Sequence, residues 1–147
     1  MNGIIEKLKP AGYSGTSLAK KLGIKEGYKV RLINQPGYYF ELFTDLPEKL
    51  LFPGDKKVKK NFIHYFAIKT KDLQKEIPNL KKEIAEDGII WVSWYKKSSK
   101  IPTDVTENIV RDLALANVLV DVKVCAIDEY WSGLKLVIPL RERKGKT

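Results

Sequence analysis

Two apolar segments joined by an amphipathic helix constrain this chain more than any other feature. The segments NFIHYFAIK (61–69) and GIIWVSW (88–94) carry apolar side chains on both faces. This pattern is typical of strands that are covered on both sides of a sheet. A helix from about residue 70 to 86 is predicted between them, because apolar residues recur there at spacings of four, three and four (Leu73, Ile77, Leu80, Ile84). Such a strand–helix–strand unit predicts parallel strands with a right-handed crossover.

The flanking segments extend this pattern to the whole chain. A short helix capped by Thr16 or Ser17 and ended by Gly23 precedes a strand at 28–34. After the central unit come a helix that begins with the D-x-x-E capping box of Asp104 and Glu107, a strand at 118–128 and a hairpin partner at 134–140. This order predicts an α/β fold: a three-layer Rossmann-like domain with a mainly parallel sheet and a C-terminal antiparallel hairpin. Its second half looks like the C-terminal half of a Rossmann-like methyltransferase, which is an analogy of fold only.

Length and charge limit the classes of protein further. A chain of 147 residues predicts one domain, here with an irregular arm at 1–15 and a frayed basic tail at 141–147. With 27 Lys and Arg against 18 Asp and Glu, the net charge is +9, but only four of the basic residues are arginine. Because lysine lacks the planar fork that reads bases, we expect no specific nucleic-acid recognition, and weak lysine-mediated binding is an alternative. No apolar run approaches the ~20 residues of a membrane span and no signal peptide is recognisable, which predicts a cytoplasmic protein without membrane contact.

Candidate binding residues follow the predicted strand ends, where ligands of open parallel sheets bind. Asn34 ends the first strand. Trp94 ends the strand at 88–94, and residues 95–98 follow it. The lysines of this loop, together with free amides at the next helix start, predict an anion site around Lys96, Lys97 and Ser98. An ordinary basic loop is the alternative and is favoured, because the Asp104 carboxylate would occupy those amides itself.

The strand VDVKVCAID (120–128) carries an acid and a base two residues apart. Asp121 and Lys123 would share one face of a regular strand, where they could form an acid/base pair in a cleft. A structural ion pair with Arg111 is the alternative and is slightly favoured. Trp94 and Trp131 lie at strand ends, where they could floor a pocket.

The sequence contains few residues of the types that bind metals or cofactors. One cysteine and one histidine exclude an intramolecular disulfide, a cysteine metal cluster and the usual histidine sites, so no metal is expected. Cys125 and His64 are interpreted as core residues. Only Gly37 follows the first strand, and no G-x-G-x-x-G or G-x-x-x-x-G-K occurs. We therefore expect no dinucleotide or S-adenosylmethionine (SAM) site of the usual kind, and no cofactor.

Several stretches together resemble one known family. They are GYSGTSLAKKLGIKEG (12–27), Asn34 with Pro36, WVSWYKKSSKIPTDVTE (91–107) with Arg111, and VDVKVCAIDEYWSGLKLV (120–137). These motifs are similar to the small bacterial family catalogued as domain of unknown function 3052, except that Tyr95 replaces a usual proline. The resemblance implies a stand-alone bacterial cytoplasmic protein with no established activity, cofactor or partner.

The resemblance also implies which residues to watch, and several of them lie at predicted strand ends. Together the two lines of reasoning give a set of ligand-binding candidates: Asn34, Trp94, Lys96, Lys97, Ser98, Asp104, Arg111, Asp121, Lys123 and Trp131. The sequence predicts a non-catalytic Rossmann-like module that binds a small anionic ligand or a protein partner. One alternative is an enzyme of unfamiliar type that uses Asp121, Lys123 and Asp104, so the sequence leaves open whether the chain is an enzyme.

Overall fold

The computed structural model describes residues 15–144 and contains a single five-stranded sheet. The predicted arm at 1–15 therefore lies outside the described residues, apart from Gly15. The strands are β1 (Val30–Ile33), β2 (Lys60–Ala67), β3 (Ile84–Tyr95), β4 (Val120–Ala126) and β5 (Trp131–Val137). The helices are α1 (Leu18–Leu22), α2 (Thr70–Glu83) and α3 (Glu107–Ala116), with short 3₁₀ turns at Tyr39–Leu42, Lys97–Ser99 and Leu140–Glu142.

The sheet is mixed, and its strand order is β1-β2-β3-β5-β4. β1 pairs with β2 and β2 with β3 in parallel, whereas β5 is antiparallel to both of its neighbours. β4 therefore runs in the same direction as β1, β2 and β3. The predicted Rossmann-like fold with a C-terminal antiparallel hairpin is confirmed.

The alternation of side chains along β2 divides the core into two layers. Ile63 and Tyr65 pack with α2 and α3 on one face, in a cluster that also contains Leu73, Ile77, Leu80 and Val110. Phe62 and Phe66 pack on the other face against α1 and the turn that contains Tyr39. Both faces of β2 are buried, as the sequence predicted for an interior strand.

Local signals set the ends of α1. The Ser17 hydroxyl accepts a hydrogen bond from the Lys20 amide, and Gly23 ends the helix in the left-handed region at φ 85°. The Trp91 indole N–H donates to the Leu22 carbonyl oxygen at 2.8 Å, which fixes this short helix to β3.

The boundary between α2 and β3 differs from the sequence prediction. The helix was predicted to reach about residue 86, but α2 ends at Glu83, and Asp87 and Gly88 lie within β3. A Cβ at position 88 would lie 2.8 Å from the Ile84 side chain and 3.0 Å from the Asn61 carbonyl oxygen. Gly88 therefore permits the close approach of β2 and β3. Pro78 lies inside α2, as the sequence places it.

The predicted frayed tail at 141–147 lies partly outside the described residues, which end at Lys144. Within them, a 3₁₀ turn spans Leu140–Glu142, and the Lys144 amide donates to Glu86 Oε2 at 2.6 Å. None of the helices within residues 15–144 has the length and apolar character that crossing a bilayer requires.

Candidate functional site

The carboxyl ends of β1, β2, β3 and β4 lie at one edge of the sheet, together with the start of the antiparallel strand β5. Ligands of open α/β sheets bind outside this edge. The segments that meet here are the turn after β1, the β3–α3 loop and the β4–β5 turn. These segments therefore form the candidate functional site.

A cavity of about 540 Å³ lies beside β1, the edge strand of the sheet, and reaches the residue after its carboxyl end. We call it the β1 pocket. Phe40 and Phe52 are each about half exposed, and their rings meet edge to face at 6.2 Å between centroids. Apolar side chains and a few polar groups complete the lining: Val30, Arg31, Leu32, Gln35, Pro53, Gly54 and Lys56. A concave, mostly apolar cavity with few polar groups is the usual form of a small-molecule site.

The turn after β1 leaves its backbone accessible. Asn34 adopts φ 59°, in the left-handed region that asparagine tolerates better than most residues. A Cβ at Gly37 would have no neighbour within 4 Å. This turn has one glycine where nucleotide-binding turns have several, but its surroundings leave room for a ligand.

Asp128 fastens the β4–β5 turn to the segment after β1. Its Oδ1 accepts hydrogen bonds from the Tyr130 and Trp131 amides at 2.8 and 2.9 Å. Its Oδ2 accepts from the Tyr38 hydroxyl at 2.9 Å. The Lys96 amide donates to the Tyr130 carbonyl oxygen at 2.8 Å and ties the end of β3 to the same turn. Asp128 thus acts as a clamp across the carboxyl edge.

The Trp131 ring packs against aromatic side chains next to this clamp. It stacks on Tyr95 at 3.9 Å between centroids and meets Phe66 edge to face at 4.8 Å. Trp94 lies on the opposite face of the sheet, in the layer covered by α2 and α3. Trp94 and Tyr95 are adjacent in β3 and point to opposite faces of the sheet. Because Trp131 stacks on Tyr95, the two tryptophans do not line the same pocket.

Alkaline titration tests the Tyr38–Asp128 clamp. Burial, followed by the hydrogen bond to Asp128, raises the pKa of Tyr38 from its ordinary value of 10 to about 12. A raised folded-state pKa stabilises the fold fully below pH 10, and this contribution is lost as pH rises toward 12. Urea unfolding from pH 9 to 11.5 should show the stability advantage of wild type over Tyr38→Phe shrinking above pH 10. An advantage that is independent of pH would contradict the clamp.

The predicted anion site around Lys96, Lys97 and Ser98 is not formed at a helix start. α3 begins only at Glu107, and the Thr106 hydroxyl accepts from the Ile109 amide at its N-terminus. The Asp104–Glu107 capping box is therefore wrong. Asp104 instead accepts from the Thr70 amide at 2.7 Å and so caps α2, which lies next to it in space and 34 residues away in sequence.

The predicted acid/base constellation of Asp121, Lys123 and Asp104 is not assembled either. Asp121 lies near the start of β4, away from the carboxyl edge, and pairs with Arg111 Nε at 3.0 Å, which confirms the structural ion pair. The Arg111 hydrogen bond holds the pKa of Asp121 below its usual range. The register shifts between Asp121 and Lys123, so these side chains point to opposite faces of the sheet.

The candidate residues therefore divide into separate groups. Those near the carboxyl edge are Asn34, Trp94, Lys96, Lys97, Ser98, Asp104 and Trp131, whereas Arg111, Asp121 and Lys123 lie elsewhere along α3 and β4. Sequence reasoning missed Tyr38 and Asp128 as a pair and the aromatic residues Phe40 and Phe52 as a wall. The available signal was the concentration of aromatic residues in the irregular segment 38–52.

His64 is a core residue, whereas Cys125 is partly buried and packs at the margin of the core. The His64 ring lies between the Tyr39 hydroxyl at 3.0 Å and Ser93 Oγ at 2.7 Å and is fully buried. Burial raises the pKa of the Cys125 thiol, which disfavours the reactive thiolate.

Comparison with known proteins yields similarity of fold. No protein-family model matches the chain, and a search of the curated proteins gives no significant match. A SAM-dependent methyltransferase from Aquifex aeolicus is 14% identical, with 95% of this chain and 99% of that chain covered and a TM-score of 0.57. A candidate type 11 methyltransferase from Sulfolobus solfataricus is 17% identical, with 88% and 93% covered and a TM-score of 0.56. Magnesium protoporphyrin IX methyltransferase from Synechocystis PCC 6803, with bound SAM, is 11% identical, with 93% and 91% covered and a TM-score of 0.54.

These neighbours show that the chain has the α/β Rossmann-like fold of methyltransferases, over nearly its whole length. They contradict the expectation of a non-catalytic binding module, because the proteins with this fold are named as methyltransferases. That expectation, drawn from the missing glycine motifs, is wrong. The alternative of an enzyme agrees better with the structural neighbours.

Proposed function

We propose that this chain is an enzyme of the methyltransferase fold that binds an adenosyl ligand of the SAM class in the β1 pocket. One observation carries the proposal: the β1 pocket runs beside the outer parallel strand β1 and reaches Gln35, just beyond its carboxyl end, in a fold shared with SAM-dependent methyltransferases. Sheets of this type bind their ligands at that edge.

The residues of the β1 pocket fit the nucleoside part of such a ligand. The Phe40 and Phe52 rings offer aromatic surface to an adenine, and the Gln35 amide both donates and accepts hydrogen bonds. A volume of about 540 Å³ suits a ligand of this size.

The charged and polar residues of the pocket fit the carboxylate and the ribose of the ligand. Lys56 provides a cation for the carboxylate of the ligand, whereas the Arg31 guanidinium is held by Glu83. No carboxylate is among the residues that line the described pocket, so recognition of the ribose falls to Gln35 and backbone groups.

The chemistry divides between ligand and protein. When bound, a SAM-class ligand supplies the transferable methyl group, and the protein supplies binding and orientation. Asn34 and Gly37 let the ligand approach the backbone, and the Asp128–Tyr38 clamp fixes the turn beside it. This proposal opposes the expectation that no cofactor binds. The resemblance to domain of unknown function 3052 stays a prediction.

Calorimetric titration of the full chain with SAM and with S-adenosylhomocysteine tests the proposal. We expect both ligands to bind and Phe52→Ala to weaken binding about tenfold, since aromatic stacking contributes about 1–3 kcal/mol per base. Phe52 is half exposed, so its removal should leave the fold intact. Leu115→Ala, an equally exposed apolar change on α3, is the matched control and should leave binding unchanged.

Two outcomes would contradict the proposal. Absence of binding by both ligands at millimolar concentration would exclude the function. Binding that Phe52→Ala leaves unchanged would place the ligand outside the β1 pocket.

A further inference from the structure

A second cavity, of about 440 Å³, lies between α1 and the edge strand β4. β1 and β4 are the two outer strands of the sheet, so the β1 pocket lies beside one of them and this cavity beside the other. Three lysines line it together with a hydroxyl and a thiol (Lys20, Lys21, Lys123, Thr16, Cys125), and no acidic side chain is among its described lining residues. We call it the lysine cavity.

An irregularity in β4 directs Lys123 to this cavity. Asp121 is opposite Leu136, and the next paired residue, Lys123, is opposite Lys135. The extra residue between them is a β-bulge, which reverses the face to which the following side chains point. Without it, Lys123 would point to the face covered by α3. With it, Lys123 and Lys135 are directly opposite each other on the face covered by α1.

This pairing is unfavourable in the protein by itself, because like charges directly opposite in a sheet repel. Within residues 15–144, Lys20, Lys123 and Lys135 have no carboxylate within ion-pair distance. Lys135 is only partly exposed. Burial and then the nearby Lys123 and Lys25 lower the pKa of Lys135. The fold thus places several cations close together, and no described carboxylate pairs with Lys20, Lys123 or Lys135.

Several lysines act electrostatically on Cys125, which lines the cavity. Lys21, Lys123 and Lys96 each act to lower the pKa of Cys125, against the larger effect of burial. Lysines from α1, from the β3–α3 loop and from β4 therefore lie near the Cys125 thiol, which lines the cavity. Lysines spread over a surface for solubility alone would be spaced apart.

We propose that the lysine cavity binds a ligand that carries two or more closely spaced phosphate groups. Ammonium groups on flexible stems are compact point charges that bind phosphate oxygens without a fixed geometry. The concave shape suits a compact polyphosphate, and the Thr16 hydroxyl adds a neutral donor. The phosphates could belong to a small molecule or to the backbone of a nucleic acid strand. The proposal does not depend on the β1 pocket or on methyl transfer.

Titration of the full chain with inorganic tripolyphosphate at about 50 mM salt tests this site. We expect binding, and about a tenfold loss of affinity in Lys123→Gln, because one charge-assisted hydrogen bond to a phosphate oxygen is removed. Lys75→Gln on α2 changes the net charge equally at an exposed position on the other face of the sheet and should change affinity by less than about twofold. Equal losses in the two variants would overturn the proposal, and so would an absence of binding.

Thermal unfolding supplies an independent measurement. Without ligand, Lys123→Gln should melt at the same temperature as wild type or higher, since one member of a repulsive pair is removed. With tripolyphosphate at the same concentration, the Tm should rise less in the variant than in wild type, because its affinity is lower. A variant that melts lower without ligand would indicate a structural role for Lys123 and would overturn the proposal.

A competition arm identifies the source of the phosphates. A single-stranded oligonucleotide that displaces tripolyphosphate with higher affinity, through Lys123, would assign the site to a nucleic acid backbone. An oligonucleotide that fails to displace it would assign the site to a compact polyphosphate. The failure of either ligand at the lysine cavity leaves the binding of SAM at the β1 pocket unaffected, so the two proposals fail separately.

Discussion

Replacement of Glu83 by Gln is expected to lower the free energy of unfolding by about 3–5 kcal/mol, the usual cost of removing one partner from a buried ion pair. Glu83 is 3% exposed and lies at the end of α2. Its Oε2 is 2.7 Å from Lys60 Nζ, and its Oε1 accepts from Arg31. Lys60 has no exposed surface, so the substitution leaves its charge buried without compensation. Among the described residues, the Lys60 ammonium would keep the Asp55 carbonyl oxygen, at 2.8 Å, as an acceptor but would have no counter-charge.

Chemical denaturation with a matched pair of variants measures this effect. Glu76→Gln lies on the same helix at a more exposed position and should cost less than about 1 kcal/mol. The double variant Lys60→Met with Glu83→Leu removes both buried charges and should recover most of the stability. A loss in Glu83→Gln no larger than in Glu76→Gln would show that the buried charge is not the cause.

The same network connects the core with the β1 pocket. Arg31 lines that pocket while its guanidinium is held by Glu83. Glu83→Gln should therefore release a cation into the pocket as well as destabilise the fold. An adenosyl ligand would then meet two free cations, Lys56 and Arg31, where wild type offers one.

The parts of the fold that could be predicted depend on neighbours in sequence. The two faces of β2, the cap of α1 by Ser17 and its end at Gly23 follow from side-chain type and spacing over a few residues. The hairpin of β4 and β5 follows in the same way from two apolar segments and a turn. Such signals specify the element and its buried face but not its exact limits.

The parts that were wrong depend on contacts between distant residues. Asp104 caps α2 because the loop brings it to Thr70, and no pattern around residue 104 contains that information. The bulge before Lys123 is visible only in the pairing with β5, and a regular alternation placed Asp121 and Lys123 on one face. Because Val122 is unpaired at this bulge, Asp121 and Lys123 point to opposite faces and do not form the predicted acid/base site.

The location of the candidate site stays a prediction. Strand-end reasoning pointed to the carboxyl edge, and the structure places Asn34, Lys96 and Trp131 near it. The aromatic wall of the β1 pocket comes from Phe40 and Phe52, in irregular segments without periodicity. Their positions depend on the packing of these segments against β1, which local propensity does not determine.

The second large effect concerns the only histidine of the chain. His64 is fully buried between Tyr39 and Ser93, and its ring stacks on Phe66 at 4.2 Å between centroids. Burial lowers its pKa from 6.5 to about 3, because the surrounding aromatic residues cannot solvate the imidazolium ion. The folded protein therefore keeps His64 neutral at pH values where the unfolded chain takes up a proton.

Stability is expected to fall as pH decreases from 6.5 toward 3, since in this window only the unfolded state binds the proton. Over the two pH units from 6.5 to 4.5, the free energy of unfolding falls by about 3 kcal/mol. Urea unfolding of wild type and of His64→Gln, which retains a donor and an acceptor without titrating, should show this slope as the difference between the two curves. Asp104 and Asp121, whose pKa values are lowered, contribute equally in both proteins. Since the chain has a single histidine, its imidazole NMR signal gives a direct control: a pKa near 6.5 in the folded protein would contradict the mechanism, even if His64→Gln proved too unstable to measure.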